Sequence, residues 1–242
     1  MKKTGTLYLI PNTLGDDTTL PAVLPTEVIQ QATRLQHFIV ENAKPARQFL
    51  KAIGIRTPLQ QISMAELNIN TPDKDIDQLL APLLNGHDVG LISDAGCPAV
   101  ADPGSRAVLA AHKHHIPVRP LVGPSSILLA LMASGLNGQK FTFHGYLPID
   151  TNARISTLKK LEQESRQHQQ TQMFIETPYR NTALFEGLCK SLAPQTQLCI
   201  ATDITLPTEA ITTLPIKHWQ NLFNQKQAPE LHKHPSLFLF LA

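Results

Sequence analysis

The apolar positions of this chain come in short blocks whose period keeps changing. Residues 5–10, Gly-Thr-Leu-Tyr-Leu-Ile, read as a strand that opens into the turn-rich stretch 11–17. From Thr26 the period becomes helical, with Val28, Ile29, Ala32 and Leu35 on one face. A short strand is expected at 37–41, a helix at 45–53 stopped by Gly54, and a weak strand at 60–63. A helix starting at Thr71-Pro72 carries the stripe Ile76, Leu79, Leu80, Leu83 and Leu84 and ends near Gly86. A buried strand at 89–93, a helix from Asp102 to about His114 and a fifth strand at 118–122 follow. The second half gives a helix at 127–134 ended by Gly135, a strand at 141–146, then a polar helix with Arg154, Lys159, Lys160 and Arg166. Beyond these lie a strand at 173–176, a helix at 181–192, and strands at 198–202, 209–213 and 236–241. The last strand is almost wholly apolar and is expected to be buried.

Strand and helix in alternation predict an α/β fold, with a mainly parallel sheet in the first half. Five strands with their helices complete a first domain at 1–118, leaving a second α/β domain at 119–242. Each is expected to be a roughly five-stranded sheet flanked by helices.

Within the first half, residues 91–104 (Leu-Ile-Ser-Asp-Ala-Gly-Cys-Pro-Ala-Val-Ala-Asp-Pro-Gly) stand out. A buried strand breaks there into a loop of small residues, and such loops at strand ends are where parallel α/β sheets bind ligands. Gly96 permits a backbone conformation, or a close ligand approach, that a Cβ would obstruct. Asp94 offers a carboxylate at the mouth, and Asp102 is placed to N-cap the next helix with Pro103 at its first turn. A tight strand-to-helix turn with both aspartates as local caps accounts for the same spacing. Gly123-Pro124-Ser125-Ser126 opens a second helix whose bare N-terminus suits an anion, although an ordinary serine N-cap explains it as well. Neither the Gly-x-Gly-x-x-Gly nor the phosphate-binding P-loop pattern occurs, and no Gly-x-Ser-x-Gly elbow activates a serine.

Composition narrows the classes. The chain has 242 residues, 42% hydrophobic and 17% charged, an ordinary globular balance. Lys+Arg total 21 against Asp+Glu 19, so any nucleic-acid contact must come from a local basic cluster. No apolar run approaches the roughly 18 residues of a membrane span, and 7–10 is too short for a signal-peptide core. Three cysteines, Cys97, Cys189 and Cys199, lack metal-type spacing and point to a cytoplasmic, reduced protein. His112, His114 and His115 cluster at a helix end, where the dipole favours cations, and no metal site is expected from them.

Four phrases in this order carry a resemblance: Gly5-Thr6-Leu7-Tyr8 with its loop, Ser93 to Pro98 with Ala101 to Gly104, Gly123-Pro124-Ser125-Ser126, and Glu176-Thr177-Pro178-Tyr179-Arg180. The chain resembles the tetrapyrrole methylase family of S-adenosylmethionine (SAM) methyltransferases, which have two α/β domains. Within it the likeness is greatest to the branch that methylates a ribose 2′-hydroxyl of 16S ribosomal RNA. The resemblance implies SAM in a cleft between the two domains, a homodimer, and small-subunit RNA or its particle as substrate, with no membrane and no metal. Position by position it assigns Asp94, Gly96 and Cys97 to the loop that holds SAM, and Ser125 and Ser126 to a helix start facing it. Phe174 and Ile175 fall on the strand passing the adenine, Pro235 and Ser236 on a weaker contact, and 11–16, beginning at Pro11, on a loop near substrate and cofactor.

Two phrases depart from that branch. Its Ala-Glu-Asp-Thr-Arg is replaced by Val40-Glu41-Asn42-Ala43-Lys44, and its Arg-Glu-Leu-Thr-Lys by Thr202-Asp203-Ile204-Thr205-Leu206. A branch-typical C-terminal extension is also missing after Ala242. A methylase of a tetrapyrrole or other small molecule, and a SAM-binding paralogue without catalysis, therefore stand beside the RNA reading. A hydroxyl acceptor benefits from a general base; Glu41, Asp16 and Asp17 are carboxylates near strand ends, and the residues do not choose among them.

Overall fold

The computed structural model describes residues 3–15 and 18–242. Asp16 and Asp17, two of the candidate bases, lie outside the described residues.

The first unit, ending at Ser125, is built on five parallel strands. In chain order it contains β1 (Leu7–Ile10), α1 (Leu20–Val23), α2 (Thr26–Ala32), β2 (His37–Val40), α3 (Ala43–Ala52), β3 (Ser63–Glu66), α4 (Ile76–Leu79), α5 (Ala81–Leu84), β4 (Val89–Ile92), α6 (Ser105–Lys113) and β5 (Val118–Pro120). The strand order is β3-β2-β4-β1-β5. Every residue of β4 is buried, as expected of a central strand covered on both faces. Gly90 lets the neighbouring strands close over it: a Cβ there would lie 2.6 Å from Ile10 Cδ1 and 2.8 Å from the Phe38 ring. β5 is short and contains Pro120, which an edge strand tolerates.

The second unit begins at Ser126. It runs α7 (Ser126–Ser134), β6 (Phe141–Tyr146), α8 (Thr151–His168), β7 (Thr171–Ile175), α9 (Asn181–Ser191), β8 (Gln197–Thr202), β9 (Ala210–Pro215), α10 (Ile216–Asn224) and β10 (Ser236–Leu241). Its order is β6-β7-β10-β8-β9, with β10 in the centre. Phe174 of β7 stacks on Phe238 at 6.1 Å and meets Phe240 edge-on at 6.0 Å, and Leu158, Leu161, Phe185 and Trp219 complete that core.

The second sheet is mixed: β6 and β7 are parallel, whereas β10 runs antiparallel to β7 and β8, and β8 antiparallel to β9. The link 203–209 is too short for a parallel crossover, which takes about a dozen residues. Several expectations are corrected. The units meet at Ser125–Ser126 and not at 118–119, because β5 pairs with β1 and belongs to the first sheet. The helix expected from residue 72 is a 3₁₀ turn, Asp73–Asp75, followed by α4 and α5. Pro82 brings no N–H to that helix, yet the stripe still buries Ile76, Leu80 and Leu83. The weak strand at 60–63 is a 3₁₀ turn, Leu59–Gln61, with β3 starting three residues later than expected. α10 has no counterpart in the sequence reading; its Ile216, Trp219 and Phe223 do have helical spacing directly after Pro215.

Candidate functional site

In the first sheet the connections from β1 and β4, central neighbours, lead to opposite sides of the strand order. A topological switch point of this kind leaves a crevice at the C-terminal strand ends. The two segments that flank it are 11–15 and 93–104, and they are bonded to each other. Asn12 N donates to Gly96 O (2.9 Å) and Gly96 N donates to Thr13 O (3.2 Å). The buried Asn12 side chain donates to Asp94 O at 3.0 Å and Ser93 O at 3.4 Å. The loop after β5 closes the group: Cys97 Sγ lies 3.3 Å from Pro124 O, and a Cβ on Gly123 would sit 2.2 Å from Pro11 Cβ. Pro11 is thus buried against Gly123 and Gly96 is buried between loops, while Asp94 and Ala95 are exposed.

Backbone conformation explains the small residues. Gly96 has φ +65°, and an added Cβ would lie 3.1 Å from Leu14 Cδ2. Ala99 and Ala101 also have positive φ, at 67° and 59°, which costs an L-residue about 1–2 kcal/mol each. Asp102 holds this arrangement. Its carboxylate accepts from Ala99 N at 2.8 Å and from Gly104 N at 2.6 Å. That corrects its expected role: α6 starts at Ser105, with Gly104 in the cap position, and Asp102 staples the loop before the helix.

Acidic groups rim the crevice. Glu41 Oε2 accepts from Asp94 N at 3.1 Å, and Glu66 Oε1 accepts from Ala43 N at 3.0 Å. Burial, then the charges of Glu41, Asp102 and Glu66, raise the Asp94 carboxyl above the usual aspartate range. Burial likewise raises Asp102, against the two amide bonds that favour its charged form. Glu41 therefore fixes the Asp94 backbone in this structure. Burial also raises the Cys97 thiol, which leaves it a poor nucleophile.

A cavity of about 590 Å³ opens beside these loops, lined by Asn12 to Gly15, Asp94 and Ala95 on one side and by Pro45, Gln48, Phe49 and Ala52 of α3 on the other. α3 begins two residues before the expected Pro45, because Asn42 caps it by accepting from Lys44 N at 3.2 Å. Lys44, Arg47 and Lys51 are exposed on the helix that supplies the cavity wall. Of the second basic group, Arg154 donates to Ile149 O at 3.2 Å and Lys160 lies 3.9 Å from Glu164, so part of it is engaged locally.

In the second unit, Ile175 is half-buried, but the Phe174 ring is fully taken up by the core, leaving only its main chain for a ligand. Ser125 ends the first unit and Ser126 starts α7; both are half-buried. Pro235 is exposed and its carbonyl accepts from Asp203 N at 2.9 Å. The sequence reading missed a cluster here. Asp203 Oδ2, 4% exposed, accepts from Thr208 Oγ1 at 2.8 Å and lies 2.6 Å from His234 Nδ1. Nothing local signals a pair 31 residues apart. Among the described residues, no group of three or more His, Cys, Asp or Glu is arranged to hold a metal, and no helix is long and apolar enough to cross a membrane.

Replacing Asp102 by Ala removes both amide acceptors and leaves two strained alanines unsupported. We expect about 1–3 kcal/mol of destabilisation and faster hydrogen exchange at the Ala99 and Gly104 amides, measured by denaturant unfolding and NMR. Unchanged exchange at both amides would remove Asp102 from this role.

Comparison with known proteins places the geometry. A family model for Tetrapyrrole (Corrin/Porphyrin) Methylases matches residues 15–219. A protein of Xylella fastidiosa named ribosomal RNA small subunit methyltransferase I is 30% identical over 87% of this chain and 72% of its own length. Proteins of the same name from Escherichia coli O157:H7 (30%, 88% of this chain, 70% of its own) and Micromonospora olivasterospora (34%, 78% and 56%) are similar. Two solved structures share the fold: the methyltransferase CobJ, with a TM-score of 0.61 at 17% identity over 99% of this chain and 94% of that one, and uroporphyrin-III-C-methyltransferase from Thermus thermophilus, with 0.53 at 19% over 98% and 92%. Two five-stranded α/β sheets, a bonded loop pair at the first sheet's switch point, and these matches lead to one assignment: the chain belongs to the tetrapyrrole methylase family and is a SAM-dependent methyltransferase.

Proposed function

We propose that this methyltransferase acts on the RNA of the small ribosomal subunit, at a ribose 2′-hydroxyl, as a cytoplasmic homodimer. The observation that carries the reading is α3. It walls the cavity beside the Asp94 loop with Pro45, Gln48, Phe49 and Ala52 and exposes Lys44, Arg47 and Lys51. An acceptor reaching that cavity meets positive charge spaced for successive phosphates, in a chain whose net charge is only +2. The names of the relatives support the same reading.

The residues fit SAM. A cavity of about 590 Å³ is in the range of small-ligand sites. Burial and the neighbouring carboxylates raise Asp94, and a sulfonium and an ammonium cation would offset the carboxylate repulsion. We assign Pro11, Asp94, Gly96 and Cys97 of the first unit, and Ser125, Ser126, Phe174, Ile175 and Pro235 further along, to holding it. Gly96 and Pro11 act by shaping backbone, Phe174 by its main chain. When bound, SAM supplies a methyl group already activated by positive sulfur, so the protein's task is alignment, worth up to about 7–11 kcal/mol.

Calorimetry is expected to show SAM binding to the wild type. Affinity falls on acidification above the ordinary aspartate range, because protonating the raised Asp94 removes the charge that attracts the cation. Gly96→Val, forcing a β-branched residue to φ +65° beside Leu14, is expected to abolish binding in a protein that still folds; wild-type affinity in that variant would remove Gly96 from the site.

Methylation of small-subunit RNA or its particle is expected to weaken steeply with salt. Reversing the charges of Arg47 and Lys51 together should lower it while leaving SAM affinity intact. Label transferred only to small molecules would instead support a tetrapyrrole-type acceptor.

Sedimentation at micromolar concentration is expected to give twice the 26.7 kDa chain mass; a monomer there would contradict the dimer.

A further inference from the structure

We propose that the open edge of the first sheet, at β3, takes an extended segment of a basic protein as an added strand, with one apolar side chain of that segment entering a cavity beside it. The inference goes beyond the methyltransferase reading and does not depend on it.

β3 is the outermost strand of its sheet, and among the described residues no strand pairs with its outer side. Ser63 N donates to Gln36 O at 2.9 Å and Leu67 N donates to Val40 O at 2.8 Å, so the odd-numbered residues turn their peptide groups inward to β2. Along an edge strand the peptide groups of alternate residues point to opposite sides. The N–H and C=O groups of Met64 and Glu66 therefore face outward, which is a template for another strand.

A second cavity, of about 510 Å³, opens at this edge. Ala65, Leu79 and Pro82 give it apolar walls, and Ser63, Asp75 and Gln78 give it polar ones. Side chains alternate across a strand. Ser63 and Ala65 turn toward the cavity, whereas Met64 packs on the other face, in the core that holds Phe49 and Leu50 of α3. The neighbouring turn 68–71, whose Thr71 also lines the cavity, displays Ile69 with 86% of its surface exposed. That display is ordered. Thr71 N donates to Asn68 O at 3.0 Å, Asn68 N donates to Thr71 Oγ1 at 3.0 Å, and Arg106 donates to Asn68 O at 3.3 Å and to Thr71 O at 2.5 Å.

The charge of this surface selects the partner. Between Ser63 and Leu79 the sequence has Glu66, Asp73, Asp75 and Asp77 against Lys74 alone. From α6, Arg106 reaches Asp73 at 2.6 Å and His114 lies 3.2 Å from Asp77, which leaves Asp75 in the cavity wall and Glu66 at the end of β3 without an ion pair among the described residues. Burial, and then His87, hold His37 in the cavity wall below the usual histidine range, so it adds no positive charge at neutral pH. A polyanion is repelled here, and lysine or arginine is attracted. In strand addition the main-chain bonds give affinity, and pockets for alternate side chains give specificity. Residues two apart on an added strand share one face. The segment that fits is thus an apolar residue with lysine or arginine two positions away on each side.

The test is NMR and calorimetry of the full chain with the acetylated, amidated peptide Thr-Lys-Thr-Leu-Thr-Lys-Thr. Binding is expected, with the Met64 and Glu66 amides shifted and their hydrogen exchange slowed. Glutamate in place of both lysines is expected to abolish it, and glycine in place of leucine or N-methylation of every peptide bond to weaken it. Asp75→Lys and, separately, Gln78→Lys are expected to weaken it by about tenfold or more, with circular dichroism and SAM affinity unchanged. The peptide series on the wild-type chain decides the matter even where a variant fails to fold. No binding of the lysine peptide, equal binding of the glutamate peptide, wild-type affinity in both variants, or shifts on α3 in place of β3 overturns the proposal. Spermine binding as tightly, which is attraction by charge alone, or single-stranded RNA shifting the Met64 and Glu66 amides, also overturns it.

Discussion

The first unit depends on a reciprocal pair of backbone bonds, Asn12 N to Gly96 O and Gly96 N to Thr13 O. Chain segments more than eighty residues apart meet there at the mouths of two adjacent parallel strands, and each satisfies amides of the other. A loop cannot be both buried and unpaired, since buried peptide groups demand partners. This pairing is what allows Gly96 to be buried while Asp94 and Ala95, immediately before it, face solvent. The neighbouring devices serve the same geometry. Asn12 uses its side chain to hold the Ser93 and Asp94 carbonyls, Gly123 yields its side-chain space to Pro11, and Asp102 staples a turn containing two left-handed alanines. The strain in that turn is local, and the bonds that hold it are among the shortest in the unit.

Electrostatics then divides the crevice. Asp94, Glu41, Glu66 and Asp102 crowd one side, and burial together with those charges raises Asp94. The outer face of α3 carries Lys44, Arg47 and Lys51. An acidic interior of this kind suits a cationic methyl donor, and a basic rim suits the anionic acceptor of the proposed function. The near-zero net charge conceals this separation, because a sum over the chain reports nothing about where the charges lie.

Local features were readable from the chain. The strands, the cavity loop at 93–104 and the Glu176 to Arg180 phrase all follow from short-range chemistry: apolar runs, glycine stops, proline and small-residue loops. What escaped depends on partners distant in sequence. An apolar run such as 236–241 is expected to be buried but records no direction, so the antiparallel placement of β10 had no signal. Asp102 looked like a helix cap because it precedes Pro103, and only the left-handed turn at Ala99 and Ala101 shows which amides it takes. Asp203 and His234 come together only because β10 lies beside β8.

That placement changes the meaning of the divergent phrase at 202–206. A loop losing its function would accumulate unsatisfied polar groups and relax toward ordinary backbone. Here Asp203 and Thr205 instead keep left-handed conformations, at φ 51° and 73°, which cost free energy unless neighbours impose them. The neighbours are present. Asp203 is bonded through its amide to Pro235, through its carboxylate to Thr208 and His234, and Thr205 N is held by Glu209 Oε2 at 2.7 Å. Thr202 and Ser236 are linked by their hydroxyls directly beneath, at 3.1 Å. The segment thus holds a buried carboxylate against a histidine. This end of the sheet is therefore an ordered polar cluster and not a relaxed loop, because each left-handed residue has a bonded neighbour that holds it.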